Sequence, residues 1–370
     1  MSRRILILAN SGDGLSLFRM ELIAELKKYG EVYIAMPFDS RVEEVRASGC
    51  ELIETPMERR GMNPLKDIGL YRTYKKLIRR LRPDLVITYT IKCNVYGGYA
   101  ARRCGAAYAV NVTGLGTAFQ GSGLLSKLVT FMNKAALKKA KVVFFENVGN
   151  RDVFVDLGIV EKERTHPLHG AGVNLDRYPL TEYPADTDTT RFLFTGRVMK
   201  EKGIGELFSA MSRLHGEGYA CELHVLGGYE EDYKVDIDRY TAEGWLHYHG
   251  YVPDVRPYVA SSHCFVLPSY HEGMANVNLE CASMGRPVIT TRIHGCMEAV
   301  DEGKSGLLCG KEDADSLYNA MKTFLSLPRE TRAAMGQAGR ARMEDVFDKK
   351  KVVGETVQAL GLGDLSTEER

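Results

Sequence analysis

Short apolar runs alternate along this chain with longer stretches whose apolar residues recur every three or four positions. Residues 4–10 (RILILAN), 31–37 (EVYIAMP), 51–55 (ELIET), 84–90 (DLVITYT), 107–112 (AYAVNV) and 141–146 (KVVFFE) read as strands. Amphipathic stretches such as 64–81 lie between them. Such alternation predicts a parallel sheet, and right-handed crossovers make it a doubly wound, Rossmann-like domain. The rhythm pauses over 161–190, which holds Pro167, Pro179, Pro184 and a polar run from Asp186 to Thr190. It then resumes with strands expected at 191–196, 222–226, 246–251, 263–268, 287–291 and 305–309, followed by a helical segment over 314–360.

The expected organisation is therefore α/β throughout. A first domain spans 1–170, a linker 171–190 and a second domain 191–350, while 351–370 is expected to cross back towards the first domain. Two facing Rossmann-like domains with parallel sheets enclose a cleft, and ligands of such sheets bind beyond the carboxyl ends of the strands.

Composition leaves that picture in place. Hydrophobic residues make up 44% and charged residues 26%, as in soluble globular proteins. No apolar run approaches the roughly 20 residues of a spanning helix, and Asp13 and Arg19 interrupt the N-terminal apolar stretch too early for a signal peptide. Eight scattered cysteines form no C-x-x-C pair and read as reduced, mostly buried thiols. His247 and His249 share one face of a strand, but no third ligand follows them in sequence, so they read as core or edge histidines.

Charge does add something. Residues 1–170 carry 27 Lys+Arg against 17 Asp+Glu, whereas 171–370 carry 22 against 31, so a net charge of +1 conceals a basic first half and an acidic second. A basic half points to an anionic partner surface, or to electrostatic matching of the two halves.

The candidate chemistry follows the strands. Gly12 and Gly14 after the first strand allow close backbone approach to a ligand, although the third glycine of a dinucleotide fingerprint is missing. After the first strand of the second domain, Gly196-Arg197 and Lys202-Gly203 supply a planar fork and a mobile point charge suited to phosphate. The densest segment runs from Leu267 to Glu280. It ends a strand, turns through Glu272-Gly273 and starts a helix whose first N–H groups, near Met274, Ala275, Asn276 and Val277, suit a diphosphate. Glu280 lies one turn beyond Asn276 on the same face, where a carboxylate accepts hydrogen bonds from paired sugar hydroxyls. Asp186-Thr-Asp188, Asp236-Ile-Asp238 and Asp313-Ala-Asp315 have a D-x-D spacing that can hold a metal ion, but linker and helical contexts make them solvated acids or caps.

These motifs resemble those of the large retaining glycosyltransferase family 4, which has the GT-B fold. The resemblance rests on Gly196-Arg197…Lys202-Gly203, Pro268-Ser269…Glu272-Gly273…Glu280, Gly285-x-Pro287-Val288-Ile289, His294-Gly295-Cys-Met-Glu298 and Gly303…Gly306-Leu307. Residues 59–64 (RRGMNP), Lys92-x-Asn94, Val112-Thr-Gly-Leu-Gly116 and Gly172-Val173-Asn174 resemble the branch that extends polyprenyl-diphosphate-linked sugars. The resemblance implies catalytic roles for Arg197, Lys202 and Glu272, with the two cations neutralising the donor diphosphate and Glu272 gripping the donor sugar. It implies that Glu280 holds the ribose, that Gly12, Gly14, Gly196, Gly273, Met274, Ala275 and Asn276 contact the donor, and that Val252 lies near the base. It implies an acceptor site around Arg19, Lys92, Asn94, Gly114 and Gly116. Ile91 stands where relatives often carry histidine, so no orienting histidine is assigned there.

The resemblance further implies a UDP-sugar donor, a lipid-linked saccharide acceptor, and no cofactor or metal. The cationic amphipathic stretches 72–82 and 124–141 suit an anionic membrane surface, which places the protein in the cytoplasm, peripheral at the inner membrane face. Nucleic acid is an unsuitable partner, because the basic stretches lack interleaved aromatics. A transferase of the same fold with a soluble acceptor, a nucleotide-sugar epimerase and a catalytically silent nucleotide-sugar-binding protein remain as alternatives.

Overall fold

The computed structural model describes residues 2–57, 64–116, 123–185 and 188–363. The Arg59–Asn63 part of the RRGMNP motif, Asp186 of the first D-x-D pair and the end of the chain from 364 lie outside them.

All the expected strands form, each within two residues of its expected bounds. The first unit contains β1 (Arg3–Leu8), α1 (Gly12–Phe18), α2 (Met20–Leu26), β2 (Gly30–Met36), α3 (Val42–Arg46), β3 (Glu51–Glu54) and α4 (Pro64–Leu81). It continues with β4 (Leu85–Tyr89), a π-helical turn (Cys93–Gly97), α5 (Gly98–Cys104), β5 (Tyr108–Val112), α6 (Leu124–Leu137), β6 (Val142–Phe145) and α7 (Val148–Asp156). A short edge strand, β7 (Thr165–Pro167), completes a parallel sheet of order β3-β2-β1-β4-β5-β6-β7. β7 lies in the stretch where the strand rhythm pauses. Three half-buried residues carry no alternation signal, and Pro167 is tolerated because an edge strand has no further neighbour to donate to.

The second unit starts again with β8 (Thr190–Thr195), α8 (Ile204–Gly216), β9 (Cys221–Leu226), α9 (Lys234–Ala242), β10 (Leu246–Gly250), α10 (Arg256–Ser261) and β11 (Cys264–Leu267). α11 (Asn276–Ser283), β12 (Val288–Thr291), β13 (Gly306–Cys309), α12 (Ala314–Ser326) and α13 (Arg329–Arg342) follow, and the sheet order is β10-β9-β8-β11-β12-β13, again parallel. The last helix, α14 (Lys349–Ala359), belongs to the first unit. The compact units are thus Met1–Gly172 with Lys349–Arg370, and Val173–Asp348.

Burial explains why these sequences become strands. In β1, Ile5 and Ile7 enter one apolar cluster while Leu6 and Leu8 enter another, so consecutive side chains cover opposite faces of the sheet. A strand buried on both sides is apolar at nearly every position, as β4 and β5 are, and their polar exceptions, Thr88 and Asn111, are hydrogen-bonded. α14 shares the Ile5–Ile7 cluster through Val352 and Val357, and Leu360 and Leu362 just beyond its end join it there. Removing one such buried side chain to alanine costs about 2–5 kcal/mol.

The proline-bearing stretch after Gly172 is packed, and the residue that holds it is Arg286. This side chain is 1% exposed and donates to the carbonyls of Glu182, Val259, Ala260, Met284 and Gly285 and to the Thr181 hydroxyl. Burial among neutral acceptors pulls its pKa down to about 10, which still leaves it charged at neutral pH.

Candidate functional site

Both sheets reverse their strand order once, between β1 and β4 in the first and between β8 and β11 in the second. Crevices open at the carboxyl ends of strands at such points, and four chain segments emerge there: Ala9–Gly14, Thr90–Asn94, Gly196–Gly203 and Pro268–Asn276.

In the second unit the sequence-predicted residues converge. Lys202, at the end of a 3-10 turn (Lys200–Lys202), forms an ion pair with Glu272. Glycines make the approach possible. Gly203 has φ +70°, and a Cβ there would stand 2.1 Å from the Pro268 carbonyl oxygen. That contact presses the turn after β8 onto the end of β11, and the Glu201 carbonyl accepts from the Tyr270 N–H at 2.9 Å and the Ser269 hydroxyl at 3.2 Å. Gly227 packs as tightly on the other side of the turn, because a Cβ on it would stand 1.8 Å from the Gly196 oxygen. Arg197 leaves this turn half exposed, with Glu230 3.5 Å away.

The 272–276 turn rests on a third loop. Gly295 has φ +91°, and a Cβ on it would meet the Glu272 carbonyl oxygen at 2.6 Å. Its own carbonyl accepts from the Ala275 N–H at 2.7 Å, and the Glu298 carboxylate holds both the Gly295 N–H and His294 Nδ1. This corrects the expected set of anion-binding amides. The Ala275 N–H is occupied by Gly295, and the Asn276 N–H bonds back to Met274 at 2.9 Å. Two polar atoms at these strand ends, Asn276 Oδ1 and Thr195 Oγ1, are buried without a protein partner among the described residues. Glu280 is half-buried and hydrogen-bonds the Tyr178 hydroxyl, and burial first, then this carboxylate, holds that phenol protonated. Val252 is half-buried just beyond β10 and packs on the domain core.

In the first unit the predicted residues divide. The Gly12–Gly14 segment is the first turn of α1 rather than an open loop, and the Gly12 amide donates to Asp39 Oδ2 at 2.7 Å. A Cβ on Gly12 would meet Asp39 Oδ1 at 2.6 Å and the Arg41 backbone at 3.3 Å, whereas around Gly14 nothing lies closer than 4.0 Å. Arg19 is 7% exposed, paired with Glu146 at 2.5 Å and seated over the Tyr89 ring. Its charge is thus matched inside the unit. Asn94 is a clamp: it accepts from Thr88 Oγ1 at 2.8 Å and donates to the Asn111 carbonyl at 2.7 Å, joining β4 and β5 to the π-helical turn. Both the oxygen and the nitrogen of its amide thus have a partner within the unit.

Lys92, Gly114 and Gly116 do come together. With Asn10, Met57, Thr90, Ile91 and Thr113 they line a cavity of about 220 Å³. Asp67, which also accepts from Tyr96, holds Lys92 Nζ at 3.0 Å. Thr90 adopts φ +71°, costly for a β-branched residue, and its hydroxyl is buried without a partner among the described residues. Nothing in the sequence marked Thr90; its signal is backbone strain. Gly116 is needed at φ +69° because a Cβ would stand 2.7 Å from Ile91. Among the D-x-D acids, Asp313 caps α12 by accepting from the Ser316 N–H, and Asp236 and Asp238 lie within α9.

Residues 4–147 match the Glycosyl transferase 4-like family and residues 189–326 match Glycosyl transferases group 1, together more than half of the chain. The chain is a family 4-type glycosyltransferase. It is 24% identical over 343 residues to the N,N'-diacetylbacillosaminyl-diphospho-undecaprenol alpha-1,3-N-acetylgalactosaminyltransferase of Campylobacter jejuni, spanning 87% of this chain and 89% of that one. The capsular polysaccharide biosynthesis glycosyltransferase CapM of Staphylococcus aureus is 23% identical over 97% of each chain. Among solved structures, Anabaena HepE in complex with UDP and glucose superposes with a TM-score of 0.81 at 17% identity, over 97% of this chain and 99% of that one. The fold is GT-B. None of the transferase's described helices is long and apolar enough to cross a membrane.

Proposed function

We propose that this transferase moves a hexosyl or N-acetylhexosaminyl group, with retention, from a UDP-sugar to a polyprenyl-diphosphate-linked saccharide. The observation that carries the reading is the Lys202–Glu272 pair, seated where the β8 and β11 loops are pressed together by Gly203. A diphosphate arriving there exchanges one anionic partner of Lys202 for another. That releases the Glu272 carboxylate to accept hydrogen bonds from sugar hydroxyls. Arg197, half exposed beside this turn, adds a second charge where the leaving group becomes anionic. The departing phosphate takes the proton of the acceptor hydroxyl on the face it leaves, so no protein base is required and no metal is needed. The remaining turn amides, Met274 and Val277, complete the diphosphate contact.

The acceptor assignment draws on the Campylobacter relative, whose name specifies an undecaprenyl-diphosphate acceptor and an α-1,3 linkage. The UDP assignment draws on HepE, solved with UDP and glucose. Lys92 at its cavity supplies a cation for an acceptor carrying phosphate. α6 supplies a membrane contact: Leu125, Leu128 and Phe131 are 44%, 52% and 69% exposed, and Lys127, Lys134, Lys138 and Lys139 surround them. Solvated apolar side chains among lysines suit the boundary of an anionic bilayer, which supports a location at the inner membrane face.

The test is a donor screen of UDP-sugars against a defined polyprenyl-diphosphate saccharide, with anomeric configuration read by NMR and one arm in excess chelator. A single UDP-sugar transferred with retention in chelator is the expected result. Donor conversion without acceptor would assign an epimerase instead. Flotation with anionic liposomes, lost in a Leu128→Asp/Phe131→Asp variant, checks the membrane contact.

A further inference from the structure

Away from the strand ends, the edge of the second sheet carries histidines that the chemistry above does not use. β10 is the edge strand, and it pairs with β9 so that His247 stands opposite His224. Leu223, Val225 and Leu246, the alternate residues, point into the core. His224, His247, His249 and Glu222 therefore share the other face. The sequence showed only the His247/His249 pair, because the third and fourth groups arrive from a neighbouring strand more than 20 residues earlier.

The groups face one another. Glu222 Oε1 lies 3.2 Å from His224 Nε2, and Glu222 Oε2 lies 3.4 Å from His247 Nε2. One ligand atom from each of the three falls within 4.8 Å of the others. Around a tetrahedral zinc ion, ligands at about 2.0–2.2 Å from the metal stand about 3.3–3.6 Å apart, so the 3.4 Å separation of Glu222 Oε2 from His247 Nε2 already matches. The remaining adjustment falls on His247, whose side chain is 42% exposed and can rotate. A second layer is in place as well. His224 Nδ1 lies 3.0 Å from His249 Nε2, which fixes the far side of the His224 ring, and His249 rests against Tyr258 of α10. Arg191 Nε holds Glu222 Oε1 at 2.9 Å, leaving Oε2 as the ligand atom. Ligating imidazoles are commonly oriented by a hydrogen bond from their other nitrogen, and ligating carboxylates are themselves hydrogen-bonded.

We propose that Glu222, His224 and His247 form a binding site for a divalent transition-metal ion of the zinc class, with a water in the fourth, solvent-facing position. The site clips the edge strand β10 to β9. It lies on a strand face rather than among the residues assigned to sugar transfer, and its role is structural. Binding stabilises the folded state by mass action in proportion to the logarithm of metal concentration over Kd.

The experiment uses the full chain, expressed without a histidine tag and stripped with chelator, titrated with zinc chloride by calorimetry at pH 7.5. Binding of one equivalent is expected, together with a rise in Tm on addition of zinc. His247→Ala and Glu222→Gln are each expected to weaken binding at least tenfold and to remove the Tm rise. His247 is half exposed, so its variant folds and keeps the comparison valid even where His224→Ala does not. Cobalt(II) in place of zinc is expected to give the visible absorption of a four-coordinate ion. Absence of binding, or binding unchanged in both His247→Ala and Glu222→Gln, would overturn the proposal.

Discussion

The two units present strand ends of the same topology and use them differently. In the second, Gly203, Gly227 and Gly295 each meet a facing carbonyl so closely that a methyl group would not fit, and these contacts bring Lys202 and Glu272 together. In the first, two of the charged or polar residues expected to meet a ligand are turned inward: Arg19 is matched by Glu146 and Asn94 is bonded on both sides. A nucleotide diphosphate is a fixed shape, so glycines and cations at fixed spacing can hold it. An acceptor varies, and the residues proposed to meet it sit on loops over a scaffold in which Arg19 and Asn94 are already partnered.

The contrast breaks most visibly at Lys202. Lys202→Ala is expected to lower kcat by 10²–10³-fold, about 3–4 kcal/mol of transition-state stabilisation, with Tm nearly unchanged. Near-normal turnover would remove the second unit's cations from the chemistry. Asn94→Ala should behave in the opposite way. Losing bonds at both ends of a buried amide costs about 2–3 kcal/mol of stability, read by urea unfolding, while KM for both substrates stays put. A selective rise in acceptor KM with unchanged stability would restore Asn94 to the acceptor site.

Lys92→Ala sharpens the comparison from the other side. Acceptor KM is expected to rise about tenfold, or about 1.4 kcal/mol, with donor KM unaffected; equal changes in both would show that the cavity does not discriminate. The smallest effect concerns pH. His263 is buried, accepts from the Arg191 N–H through Nδ1 at 3.0 Å, and has its pKa lowered by burial below the ordinary value of 6.5. Its folded pKa lies below its unfolded one, so its contribution is fully present above pH 6.5 and is lost as pH falls through the folded value. His263→Asn keeps an acceptor in place but cannot titrate. The fall in Tm from pH 7.5 to 5 should therefore be shallower in that variant than in the parent.

Much of this was legible beforehand because periodicity and glycine placement are local. Every strand except β7, and the helix at 64–81, could be read from spacing, whereas the shared role of the Gly203 and Glu272 loops came from the family resemblance. What escaped was set by partners distant in sequence. Arg286 looked like a residue between a glycine and a proline, yet it anchors the Thr181–Glu182 stretch. The Gly12 amide seemed available until Asp39 occupied it. β7 is too short and too polar to announce itself, and the His224–His247 pairing depends on a register between strands that no single stretch encodes.

The return of α14 to the first unit has a consequence for how the protein is made. Synthesis runs from the N-terminus, so every residue of Val173–Asp348 is joined to the chain before Val352, Val357, Leu360 and Leu362 exist. The unit translated second is the first to have its whole sequence available. The one translated first must wait, with the face around Ile5 and Ile7 uncovered, until the closing helix arrives. A gene fragment encoding 173–348 is a continuous recipe for one complete unit, whereas no uninterrupted fragment short of the whole encodes the other.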